Sequence, residues 1–158
     1  NLDMVEGRPK VAREARAAQV GGVTTQAVTS YHDDRGGALR GTNTVRIFTA
    51  GGLSVAHLGD LGHQLTVEQA AAIGPVDAVL VPVGGVYTVD AAGAKAVCAA
   101  LHPRCVVPMH YHHAPYGLTE VDSVESFLEL WPAEAVHHLQ GAAFELTEQT
   151  AGVMVPSF

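Results

Sequence analysis

The stretch Ser54-Val55-Ala56-His57-Leu58-Gly59-Asp60-Leu61-Gly62-His63 decides how this chain is read. It begins as a strand-like apolar run and ends on an aspartate with a glycine just before it and another two residues after. That placement presents Asp60 as a bare carboxylate at the C-terminal end of a strand, where α/β proteins commonly put their chemistry. Immediately upstream, Thr44 to Ala50 and Leu53 to Leu58 are two β-type runs separated by Gly51-Gly52. The two glycines supply the positive φ angles of a tight turn, so a hairpin delivers Asp60.

Further out, Val23 to Tyr31 is rich in β-branched residues and reads as a strand ending at His32-Asp33-Asp34. Downstream, Thr66-Val67-Glu68-Gln69 fits a capping box opening a helix through Ile73, which Gly74-Pro75 stops. Val76 to Val83 is nearly continuous in apolar residues, as expected of a strand covered on both faces. Thr88 then opens an alanine-rich helix from about Val89 to Leu101, and Cys105 to Met109 is a further strand with His110 at its end. Thr119 to Asp122 caps a helix bearing Val124, Phe127, Leu128 and Trp131, while Val136 to Leu139, Phe144 to Leu146 and Val153 to Val155 read as short strands. Residues 1 to 20 give a short helical fragment, a Gly7-Arg8-Pro9 break and a basic patch of Lys10, Arg13 and Arg16. The pattern is that of one α/β (α+β) domain, a mixed sheet with helices packed on it.

At 158 residues the chain is long enough for one domain with its own core. A net charge of −7 without a Lys/Arg cluster lacks the electrostatic footprint of nucleic-acid or anionic-membrane binding. No apolar run reaches the roughly 18 residues of a membrane span. Cys98 and Cys105 lack C-x-x-C spacing and sit in apolar surroundings, which suits buried reduced thiols in a cytoplasmic protein.

Three strand ends carry polar residues suited to chemistry: His32, Asp60 and His110. Imidazole and carboxylate on loops fit a catalytic zinc, manganese or iron site better than a closed structural one. Nine histidines make chance pairings easy, and His102, His137 and His138 read as structural or surface residues. His57 has strand parity opposite to Asp60, which points its ring away from the carboxylate. His63, Tyr87, Tyr111 and His112 could line a pocket and touch a substrate.

The segments Thr29-Ser30-Tyr31-His32-Asp33-Asp34, Gly41-Thr42-Asn43-Thr44-Val45, His57-Leu58-Gly59-Asp60-Leu61-Gly62-His63, Pro82-Val83-Gly84-Gly85-Val86-Tyr87-Thr88 and Pro108-Met109-His110-Tyr111 occur in this order. In order and spacing they resemble the metallo-β-lactamase superfamily, and more narrowly its branch of metal-dependent hydrolases related to the L-ascorbate-6-phosphate lactonases. The resemblance implies an αββα sandwich with one or two metal ions, zinc or manganese, at the edge of its sheets. It further implies that His32 helps hold a first metal, that Asp60 bridges two, that His110 binds the second, and that metal-activated water attacks an ester, lactone or phosphate-bearing small molecule.

The family's first metal motif, H-x-H-x-D-H, does not occur in the chain, and Asn1 to Gly7 resemble the segment directly after that motif in this branch. The chain as a whole therefore resembles the C-terminal portion of the fold. The resemblance leads to two expectations: a metal site short of ligands, and an open sheet face covered by homo-oligomerisation or by association with the missing N-terminal segment. A non-catalytic half-domain, acting in assembly or weak metal or ligand binding, is the alternative to the hydrolase.

Overall fold

The computed structural model describes residues 18–157. The expected helical fragment and basic patch near the N-terminus fall almost wholly outside them. The strands are β1 (Ala18–Val20), β2 (Val23–Tyr31), β3 (Thr42–Ala50), β4 (Leu53–His57), β5 (Ala78–Pro82), β6 (Cys105–Met109), β7 (Val136–His138) and β8 (Gly152–Val155). Three α-helices intervene: α1 (Val67–Ile73), α2 (Ala91–Leu101) and α3 (Glu125–Leu128).

All eight strands form one sheet in the order β1-β2-β3-β4-β5-β6-β8-β7. The first four run as an antiparallel meander, and from β4 onward every pairing is parallel. Gly51 and Gly52 both take positive φ, 58° and 82°, and close the β3–β4 hairpin. This is the expected α/β arrangement of a mixed sheet with helices packed on it, and the described residues make up one sheet and one helical layer.

The principal core lies between the sheet and the helices. Val45, Ile47, Ala56, Val79, Val81, Val106 and Val153 from the strands meet Ile73, Ala94, Val97, Leu101 and Phe127 from the helices. The opposite face carries a smaller cluster of Ala78, Cys105 and Met154, bordered by half-buried Val55 and Val107. The two faces thus differ in cover, although both are apolar.

Several boundaries depart from the sequence reading, each for a local reason. Asp90, not Thr88, caps α2: its carboxylate accepts from the Gly93 N–H at 2.7 Å, and Asp is the stronger cap. The helix expected after Thr119 is a single turn, Glu125–Leu128, that starts without a side-chain cap. It cannot extend far, because Pro132 disfavours helical geometry at Trp131. Phe144 to Leu146 is not a strand, and the sheet ends on that side at the three-residue β7. The capping box on α1 forms as expected, with Thr66 and Gln69 bonded reciprocally.

Candidate functional site

The loop carrying Asp60 is built by its leucines. Leu58 and Leu61 are fully buried, each worth roughly 1.5–3 kcal/mol, and they pin both sides of Gly59-Asp60 to the core. The turn between them bends outward at Gly59, whose φ is 60°. Its three consecutive N–H groups all have partners: Leu58 donates to the Leu80 carbonyl at 3.0 Å, Gly59 to His57 Nδ1 at 3.1 Å, and Asp60 to Asn43 Oδ1 at 3.0 Å. Asp60 therefore has a fixed backbone, and its carboxylate is left facing solvent.

His110 reaches the same place from β6. It is a non-glycine residue at φ 58°, a left-handed conformation costing about 1–2 kcal/mol that turns the chain sharply after the strand. Its carbonyl lies against Gly84 so closely that a side chain at that position would overlap it. The outcome is an Asp60 Oδ1 to His110 Nδ1 separation of 3.4 Å, with both side chains about half exposed, at 46% and 43%.

His57 is a correction to the parity argument. Strand β4 ends at His57, so two-residue alternation does not extend through the Gly59 turn to Asp60. The ring instead has His110 and Asp60 as electrostatic neighbours. Burial first, then the nearby His110, lower its pKa, while the Asp60 carboxylate opposes the shift. A Nδ1 that accepts the Gly59 N–H carries no proton, which places the neutral ring's hydrogen on Nε2.

His32 stands on the neighbouring loop. Its N–H donates to the Gly41 carbonyl at 3.1 Å, and its backbone packs directly against Gly62. The adjacent Asp33 is 2% exposed and ties the loop together by accepting from the N–H groups of Arg35, Gly37, Leu39 and Arg40. Burial alone would raise its pKa, but these four donors bring it down to about 2. Among the described residues, no three His, Cys, Asp or Glu side chains are grouped so as to hold a metal. The structure brings Asp60 and His110 together and leaves His32 outside any such cluster.

The remaining candidates divide. His63 is engaged at both ring nitrogens, accepting from Tyr31 N–H at Nε2 and meeting the Gln64 carbonyl at Nδ1, so it clamps the end of β2 to the Asp60 loop. Tyr87 and Tyr111 line a cavity of about 210 Å³ with His110, Gly85 and Leu118. The Tyr87 hydroxyl donates to Glu120 at 3.0 Å, and the Arg40 guanidinium lies 5.4 Å from its ring centre. His112 has a buried Nδ1 without a hydrogen-bond partner. Asn43, which no motif argument singles out as functional, holds the Asp60 turn. An asparagine inside a β-branched strand, where its propensity is poor, is one available signal, and its place in the Gly41-to-Val45 segment of the resemblance is another.

A half-covered mixed sheet presenting a carboxylate after β4 and an imidazole after β6, on either side of β5, defines a class: an α/β domain with a polar site at its strand ends. The model of the β-lactamase superfamily domain matches residues 1–110, and the chain belongs to that family. Among curated relatives, a UPF0173 metal-dependent hydrolase of Carboxydothermus hydrogenoformans is 36% identical over 75 residues, covering 48% of this chain and 33% of the relative. Another of that name from Thermoplasma acidophilum is 30% identical over 91 residues, covering 58% and 41%. The chain spans less than half the length of these relatives. The crystal structure of a candidate zinc-dependent hydrolase of the metallo-β-lactamase superfamily from Thermotoga maritima is 35% identical, with a TM-score of 0.83 over 97% of this chain and 74% of that one. No helix among the described residues is long and apolar enough to cross a membrane.

The donor types at the site, a carboxylate oxygen and an imidazole nitrogen, suit a divalent metal, but two donors fall short of the three protein ligands of a catalytic zinc site. Among the described residues, Asp60 and His110 alone do not complete such a site.

Proposed function

We propose that this chain contributes Asp60 and His110 to the active site of a metal-dependent hydrolase, with the remaining metal donors supplied from outside the described residues. The observation that carries the reading is the 3.4 Å approach of Asp60 to His110 at the C-terminal ends of two strands in one sheet. Family membership and the names of the relatives support hydrolysis as the reaction class. Zinc or manganese is the metal the family resemblance favours for this donor set, and such ions lower the pKa of bound water to about 7. An ester, lactone or phosphate-bearing small molecule, as in the lactonase-related branch, is the proposed substrate class, and Tyr87 and Tyr111 border the adjoining cavity.

The open sheet face bearing Val55, Val107 and Met109 is proposed to be covered by a second copy or by an N-terminal segment of the full protein. The two-donor count favours one competing reading, a non-catalytic module that binds metal weakly. Turnover of chromogenic ester, lactone and phosphate substrates with zinc or manganese separates them. In the full-length protein the hydrolase reading predicts turnover that Asp60→Ala lowers at least a hundredfold and His137→Ala leaves unchanged. Absence of turnover, or equal turnover in Asp60→Ala, overturns it.

A further inference from the structure

We propose that Asn43 is the residue that positions Asp60, fixing its carboxylate toward His110 from a strand 17 residues away in sequence. The side chain uses both ends of its amide. Asn43 Nδ2 donates to the Leu58 carbonyl at 2.7 Å and to Ser30 Oγ at 2.8 Å, while Oδ1 accepts the Asp60 N–H at 3.0 Å. It therefore brackets Gly59, holding the carbonyl before it and the N–H after it. Gly59 leaves the room this requires, since a Cβ there would overlap Asn43 Oδ1.

The third bond extends the effect. Ser30 is fully buried, pairs with Asn43 in the β2–β3 register, and lies two residues before His32. A buried polar side chain is costly unless bonded, and the buried Ser30 hydroxyl meets that need by accepting from Asn43 Nδ2. Asn43 thus links the strand that ends at His32 to the turn that presents Asp60. Leucine anchoring sets the depth of the loop, and the Asn43 bracket sets the direction in which Asp60 leaves the turn.

The positioning role rests on the proposed role of Asp60, and the test separates the two. Amide hydrogen exchange on the whole chain should show the Asp60 N–H protected in the wild type. In Asn43→Ala it should exchange at least tenfold faster, with Val79 and Val106 in the central strands unchanged. Asn43→Asp keeps an acceptor for the Asp60 N–H and loses the donors, so Asp60 protection should persist although stability falls. Ser30→Ala should likewise lower stability without exposing the Asp60 amide. In zinc titrations, Asn43→Ala should weaken binding at least fivefold in the wild-type background and cause no further loss beside Asp60→Asn.

An unprotected Asp60 amide in the wild type overturns the inference even if no variant folds. So does acceleration spread evenly over the sheet in Asn43→Ala, or an effect on zinc that adds fully to that of Asp60→Asn. A wild type that binds no zinc counts against the hydrolase reading, and the exchange pattern alone then decides the role of Asn43.

Discussion

Gly62→Ala tests how tightly the two loops of the site are fitted. A Cβ at Gly62 would sit 2.5 Å from the Asp33 nitrogen and 2.6 Å from the His32 carbonyl oxygen. These are backbone atoms, so no rotamer change can make room. The Gly62 N–H also donates to the Tyr31 carbonyl at 2.9 Å, a bond that any separation of the loops would stretch. Overpacking of this kind costs about 1–3 kcal/mol and a lost hydrogen bond about 1 more, giving roughly 2–4 kcal/mol. For a chain of this size that corresponds to a fall in Tm of roughly 6–12 °C. Urea unfolding of Gly62→Ala beside Gly141→Ala gives a matched comparison. A Cβ at Gly141 would have nothing within 4 Å and meets no positive φ, so the same methyl should change stability by less than about 0.5 kcal/mol. Equal stability of the two variants would refute the close approach of the His32 and Asp60 loops.

Arg104 joins the opposite end of the sheet to the C-terminal loop, bonding Asp77 Oδ1 at 2.7 Å and the carbonyls of Thr147, Glu148 and Thr150. Because the ion pair is partly exposed, Arg104→Ala should cost about 2 kcal/mol in urea unfolding rather than the sum of four charged bonds, and zinc affinity should not change. Asp33, held near pKa 2 against 3.8 for an ordinary aspartate, binds fewer protons folded than unfolded. Its contribution is therefore complete above about pH 4 and lost as pH falls from about 4 to about 2. Unfolding midpoints across that range should slope less in Asp33→Asn than in the wild type, and identical slopes would contradict the assignment. Burial pushes the Cys98 thiol up to about 12 and the Cys105 thiol up to about 11. Neither should react with iodoacetamide at pH 7 until the protein is unfolded, and labelling of the native protein within minutes would show that these sites open.

Much of the fold is legible in the sequence because its signals are local. The Gly51-Gly52 turn, the Thr66–Gln69 box and the Cys105–Met109 strand each depend on residues within a few positions of one another. The same property makes Asp60 and His110 visible as strand-end residues. Their meeting is legible only through the family resemblance and not from local pattern, since it depends on β4 and β6 flanking β5 in the sheet and on a left-handed His110. Strand alternation misplaces His57 because the strand stops at that residue and the Gly59 turn breaks the two-residue period. Asn43 stands in one of the segments that carry the resemblance, but no local pattern gives its role because its bonds reach 13, 15 and 17 residues away. Thr88 and Asp90 both precede the alanine-rich run, and only the Gly93 N–H bond tells which of them caps the helix.

The hydrolase reading stands or falls on Asp60 and His110 being metal donors. Zinc affinity of the wild type, Asp60→Asn and His110→Gln should be measured by calorimetric titration alongside their unfolding midpoints. Metal donation by both side chains predicts at least a tenfold loss of affinity in each variant with unfolding little changed, since both are about half exposed. Undiminished zinc binding in both variants would contradict it.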